Sequence, residues 1–192
     1  MEPNTLKQVY QHPLLQNGDL EAIFGAHKKV MLNKGDFLLR EGQIANEYLI
    51  LEQGLIRAFV HNFDGKDITT NFFTEDEIVI EVSSLFQRIP TNENIQALTD
   101  CVCWKIEFQI FQELFHSIEG FREWGRAWMS QSLFEFKNRS VSMITDSATD
   151  RYLNLLQHKP DVLKYAPLKQ IASYLGITDT SLSRIRKETA QI

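Results

Sequence analysis

Between residues 30 and 106 the apolar positions fall in short runs: Phe37-Leu-Leu, Tyr48-Leu-Ile-Leu, Leu55-Ile-Arg-Ala-Phe-Val, Ile68 to Phe73 and Val102 to Ile106. Gly35, Gly42, Gly54 and Asp64-Gly65 punctuate them at intervals of 7, 12 and 11 residues. Branched and aromatic side chains suit a pleated, half-buried surface, and closely spaced turn residues keep strands short. The pattern therefore predicts an antiparallel sandwich or jelly roll with Asp64-Gly65 as a hairpin turn.

The period then changes. Residues 107 to 144 contain no Pro, and from Gly120 onward they carry two apolar faces. One seam has heptad spacing through Ala127, Phe134 and Val141, with Trp124 interleaved and Gln131 and Asn138 as polar interruptions; the other runs Met129, Leu133, Phe136 and Met143. A helix packed on its own barrel on one side and on a symmetry mate on the other accounts for both, and a wholly intramolecular buried helix is the alternative. Ser147 and Asp150 stand in capping-box spacing ahead of Tyr152, Leu153, Leu155 and Leu156, so a new helix, and a hinge, are expected there. His158-Lys-Pro160 ends it, and Pro167 is placed to open the next.

Residues 168 to 187 read as two short helices joined at Gly176. Ile171 and Leu175 share a helical stripe, Ala172 permits a close crossing, and Gly176 can take the positive φ of a tight turn. Ile177, Leu182 and Ile185 complete a small core, and Thr178 is the cap of the second helix. That leaves Asp179, Thr180, Ser181, Ser183, Arg184 and Lys187, with Thr178, free to face bases or phosphates, as in a helix-turn-helix; an ordinary helical hairpin is the plainer reading.

Charge separates the two ends. Residues 1 to 136 hold 11 Lys and Arg against 20 Asp and Glu, whereas 137 to 192 hold 9 against 5. An acidic body with a basic C-terminal module suits local contact with a polyanion. A hydrophobic content of 43% over 192 residues supports real cores and two domains. No apolar signal core opens the chain and no run reaches membrane-spanning length, so a cytoplasmic location with no membrane partner is expected. Cys101 and Cys103, two apart in a strand, read as packing residues. His12, His27, His61, His116 and His158 are scattered, so no metal site, no catalytic group and no enzyme are expected; a cupin-type enzyme would need clustered His and carboxylate ligands.

Acidic β-roll, long helix and terminal two-helix reader, in that order, resemble the Crp/Fnr transcription regulators over roughly residues 10 to 190. Lys34-Gly35-Asp36, Glu41-Gly42 and Glu52-Gln-Gly54 carry the likeness at one end and Leu168 to Lys187 at the other. The resemblance implies an α+β fold: an antiparallel β-roll of the jelly-roll, cyclic-nucleotide-binding type with N-terminal helices over 1–118, a long dimerisation helix over 119–145 (Trp124, Ala127, Gln131, Phe134 and Val141 at its seam), and a small helix-turn-helix domain over 146–192. With Ile192 so soon after the second helix, the wing that usually follows is not expected. The implied partners are double-stranded DNA, a second copy in a homodimer, and RNA polymerase, with one recognition helix per half-site. Arg184 matches the family arginine that contacts guanine and phosphate. Asp179 and Thr180 replace an Arg and a Glu, so the operator differs; Asp179 either accepts from a cytosine amino group or serves the helix start.

Cyclic-nucleotide-binding members hold the phosphate with a Gly-Glu-Leu segment and a later Arg. The matching stretch is Ile80-Glu81-Val82-Ser83-Ser84, and an ungapped comparison puts Thr91 and Asn92 where the Arg and its neighbour belong. No Arg occurs between 89 and 121. Losing the guanidinium removes a contact worth about 1.5–3 kcal/mol, so cyclic AMP is not the expected ligand. An effector pocket of Glu81, Val82, Ser83, Ser84, Thr91, Asn92 and Phe136 would hold another, unidentified small-molecule effector, or none if the pocket is vestigial. The competing function is a β-roll signalling module that regulates a partner protein, its last helices serving as a dock.

Overall fold

The computed structural model describes residues 4–189. Two four-stranded antiparallel sheets lie face to face. One has the order β1-β8-β3-β6, formed by Lys28–Leu32, Cys101–Glu107, Glu47–Gln53 and Ile78–Val79; the other has the order β2-β7-β4-β5, formed by Phe37–Leu39, Asn94–Ala97, Ile56–His61 and Asp67–Phe73. Side chains alternate between faces along β4: Ile56 and Ala58 enter the core between the sheets with Leu49, Phe73 and Ile95, while Arg57, opposite Phe72, points the other way. The Asp64-Gly65 turn joins β4 to β5, with Gly65 at φ 71° and Asn62 Oδ1 accepting from the amides of Asp64 and Lys66. Gly54 is required at φ 113°, because a Cβ there would lie 2.6 Å from Cys101 Sγ. Cys101 and Cys103 are buried free thiols, and burial pushes Cys103 up to about 12.

Helices α1 (Asn4–Val9) and α2 (Asn17–Gly25) pack on the roll through Leu6, Tyr10, Ile23 and Phe24. Neither stands out in the apolar pattern, and β1, β6 and β7 are also absent from it. A six-residue α3 (Val82–Gln87) interrupts the roll. After α4 (Phe108–Ser117) comes the 27-residue α5, Glu119–Thr145. Its first turns are buried: Phe121 and Trp124 stack at 5.2 Å, and Trp124 Nε1 donates to Val9 O at 2.8 Å. Trp124 is therefore a core residue of its own chain, which corrects its assignment to an intermolecular seam. Heptad spacing cannot tell a roll from a second helix as the thing covered. Beyond Gly125 the apolar positions are mostly bare, with Leu133, Phe134 and Phe136 exposed by 64%, 61% and 69%, so the helix is not wholly buried within its own chain.

Four helices follow: α6 (Ala148–His158), α7 (Pro160–Tyr165), α8 (Leu168–Tyr174) and α9 (Asp179–Thr189). Ser147 Oγ accepts from Asp150 N–H at 3.1 Å, capping α6. Pro160 does not merely end α6 but opens α7, a helix with no counterpart in the apolar pattern, and Pro167 caps α8 from outside rather than starting it. No helix among the described residues is long and apolar enough to cross a membrane. The expectation of a missing wing falls partly on 190–192, outside the described residues.

Candidate functional site

The α8–α9 pair is held by its own small core. Tyr152, Leu155 and Val162 pack with Ile171, Ala172, Leu175, Leu182 and Ile185. Gly176 turns the chain at φ 68°, and a Cβ there would lie 2.6 Å from the Met143 methyl, so the turn also seats the end of α5. Thr178 Oγ1 accepts from Ser181 N–H at 3.2 Å, which fixes the start of α9. Leu182 and Ile185 face inward; Thr178, Asp179, Thr180, Ser183, Arg184 and Lys187 are exposed and Ser181 half-exposed, so these residues share one polar surface. Arg186, missed in the sequence reading, is exposed on the same helix. Among the described residues Arg184 pairs with Glu188, 3.9 Å away on the surface.

This unit docks on the outer face of β4 and β5, which nothing in the sequence pattern announces. Leu55, Phe72 and Leu98 of the roll enter its core. Polar contacts then fix the docking. Arg139 of α5 donates to Thr70 O at 2.7 Å and Tyr174 O at 3.2 Å, with its guanidinium over the Tyr174 ring. Lys159 donates to Phe72 O at 2.6 Å and pairs with Glu77 at 2.8 Å. Ser173 Oγ accepts from Thr69 N–H at 3.2 Å, and Thr69 Oγ1 accepts from the buried Arg57 Nε at 2.9 Å. Arg139→Ala leaves two backbone carbonyls short of a charged donor. A loss of about 1–3 kcal/mol is expected, read as faster amide exchange in α8 with exchange in β3 and β8 unchanged.

Within the roll, a cavity of about 330 Å³ is lined by Leu38, Leu39, Ile44, Leu49, Val79 and Ile80, with Glu81 on its wall. Of the seven residues expected to form an effector pocket, it takes only Glu81. Val82 and Ser83 are exposed on α3. Ser84 is fully buried as a staple, accepting from Ala45 N–H at 2.8 Å and donating to Ile89 O at 2.7 Å. Thr91 is buried with Oγ1 accepting from Glu93 N–H, Asn92 is exposed, and Phe136 projects from α5 into solvent. The α3 helix is the reason: it turns its first residues outward and draws Glu81 back as its cap, with the carboxylate accepting from Ser83 N–H at 3.2 Å and Ser84 N–H at 2.6 Å.

Residues 29–117 match the family of the cyclic nucleotide-binding domain. A cGMP-dependent protein kinase of Plasmodium berghei is 19% identical over 162 residues, 84% of this chain, and the chain spans 18% of that protein's length. The solved structure of the c-di-GMP-responsive global regulator CLP of Xanthomonas campestris is similar at a TM-score of 0.70 and 16% identity, covering 92% of each chain. A structure described as a transcriptional regulator of the Crp/Fnr family from Eubacterium rectale has a TM-score of 0.70 at 16% identity, covering 95% of this chain and 88% of its own. At such identities the shared property is the fold: an α+β chain in which an antiparallel cyclic-nucleotide-binding jelly roll leads into a long helix and further helices.

No Arg, Lys or His stands among the described residues that line this cavity. The phosphate of a cyclic nucleotide needs a cation or free amides. The Ser83 and Ser84 amides of α3 are already taken by the Glu81 carboxylate, and Ile80 lines the cavity wall beside them. Glu93 stands near enough to Glu81 for their charges to repel, and burial raises its carboxyl above the usual range. Arg88, the nearest arginine in sequence, is spent on Ala45 O at 2.6 Å and on Asn46 Oδ1, with its guanidinium over the Phe108 ring.

Proposed function

We propose that the chain is a dimeric, sequence-specific DNA-binding transcription regulator of the Crp/Fnr type, controlled by a small-molecule effector other than cyclic AMP. The observation that carries this reading is the exposed polar face of α9, presented by a two-helix unit with its own core at the end of a jelly roll and long helix. In this reading residues 1–118 sense, 119–145 dimerise and 146–192 read DNA, in the cytoplasm. Two copies of α9 enter successive major grooves, Arg184 meets a guanine edge, and Ser183 and Lys187 reach phosphate. RNA polymerase is a further partner in this reading where the regulator acts as an activator.

Selection from a random duplex library at two salt concentrations tests it. Enrichment of a near-palindrome with half-sites about one helical turn apart supports the reading. Arg184→Ala is expected to cost about 1–3 kcal/mol on the selected site and to relax preference at one position; equal loss on all sequences makes Arg184 a phosphate contact. The kinase similarity favours a second reading, a nucleotide-binding-like module that regulates a partner protein. Affinity for DNA that falls steeply with salt separates the two, since phosphate contacts release counterions.

A further inference from the structure

The cavity in the roll and the domain family point to different ligands. We propose that this cavity binds a mainly apolar small molecule through a hydrogen-bond-donating, uncharged or cationic end, and rejects cyclic nucleotides. The inference deepens the effector role proposed above and rests on it only for its regulatory consequence.

Size and lining come first. About 330 Å³ lies in the range of small-ligand sites, and aliphatic side chains from both sheets line it beside the polar Gln43, Asn46, Glu47 and Glu81. A ligand there gains chiefly by leaving water. The polar groups decide which end it can carry. Glu81 offers carboxylate oxygens whose partners are amides on the helix side, so lone pairs remain for a donor. Glu47 also lines the cavity but is neutralised by Lys105 at 2.7 Å. Of the cations nearby, Lys105 is paired with Glu47, Arg88 is held by Ala45 O and Asn46, Arg57 lies on the opposite face of its sheet with Thr69 and Asp67, and Arg40 is exposed with its guanidinium over the Phe37 ring. An anionic end would thus meet the Glu81 carboxylate at a wall whose lining residues include no Lys or Arg. Even in a half-open cavity, where water screens part of the repulsion, that juxtaposition costs several-fold in affinity.

The test uses the whole chain without DNA. N-phenyl-1-naphthylamine, a neutral aromatic amine that brightens in apolar surroundings, is titrated and then displaced by decylamine, decanoate, cyclic AMP or cyclic GMP below micellar concentrations. The expected results are saturable binding, displacement by decylamine at a concentration about tenfold lower than by decanoate, and no displacement by either cyclic nucleotide. Ile44→Trp, at the half-open rim of the cavity, should weaken the probe about tenfold or more while the melting temperature stays near that of the parent. Failure to bind the probe, equal or better displacement by decanoate or cyclic AMP, or an Ile44→Trp chain that folds and binds normally would each overturn the assignment. A chain that shows the decylamine preference but selects no DNA would leave the cavity assignment standing and sink the regulator reading.

Discussion

Lowering the pH from 7 to 5 should remove about 2 kcal/mol of folding stability through a single side chain, His27. His27 Nδ1 lies 2.8 Å from Ile23 O, an acceptor, so Nδ1 carries the proton. Nε2 then accepts from Tyr10 OH at 2.9 Å, and Tyr10 OH accepts from Tyr48 OH at 2.8 Å. Every partner is satisfied only while the imidazole is neutral. The ring is buried among Tyr10, Tyr48 and Ile23 with no carboxylate of the described residues against it, and burial lowers its pKa to about 4 from about 6.5 in the unfolded chain. A lowered histidine means that the unfolded chain binds the extra proton first. The contribution is therefore complete above about pH 6.5, shrinks as pH falls, and at pH 4 amounts to about 3 kcal/mol lost. Most domains have only about 5–15 kcal/mol in total. Urea unfolding followed by tryptophan fluorescence reads it directly, because Trp124 lies 4.6 Å from the Tyr10 ring. Measuring at pH 7 and 5 stays above the range where most carboxylates protonate. His27→Gln should flatten the pH dependence; equal urea midpoints at the two pH values in the parent chain would refute the assignment.

This example also marks the boundary of what a sequence displays. The roll was legible because branched and aromatic runs such as Ile68 to Phe73 and turn residues such as Gly54 and Gly65 state their local conformation. The α8–α9 turn was legible because Gly176 sits between two matched stripes. His27, by contrast, is defined by Tyr10 and Tyr48, 17 and 21 residues away along the chain, and no local pattern brings them together. The docking of α8 on β5 depends likewise on Arg139, Lys159 and Ser173 meeting backbone atoms. Backbone acceptors are available everywhere, so side-chain identity alone cannot reveal which are used. The effector pocket failed for a third reason. An ungapped comparison assumes that the same positions face inward, but the six-residue α3 and its Glu81 cap turn Val82 and Ser83 away and leave Ile80 facing the cavity. Trp124 shows the same limit on α5, where apolar spacing identifies a covered face without saying what covers it.

If the proposed dimer forms through α5, Phe134→Glu is expected to convert it into a monomer and abolish tight binding to the proposed operator. The outer part of α5 exposes Leu133, Phe134 and Phe136 by more than 60% each, with Val141, Met143 and Ile144 further along. Burying a large apolar side chain contributes about 1.5–3 kcal/mol, so Phe134 and Val141 of the proposed seam, counted twice, give a gross gain of about 6–12 kcal/mol. Association itself costs about 4–15 kcal/mol, which makes such a dimer sensitive to a single defect at its seam. A carboxylate at 134 would be buried beside its own symmetry copy without a counter-charge, at a cost of about 3–5 kcal/mol, or a hundredfold and more in dissociation constant. Because Phe134 touches nothing in the core of its own chain, the melting behaviour of the protomer should be preserved. Met31→Glu, on strand β1 and 81% exposed, is the matched control and should leave the sedimentation coefficient unchanged. A parent chain that sediments as a monomer at tens of micromolar, or a Phe134→Glu chain that remains dimeric, would remove α5 from the interface and with it the geometry that sets two copies of α9 one helical turn apart.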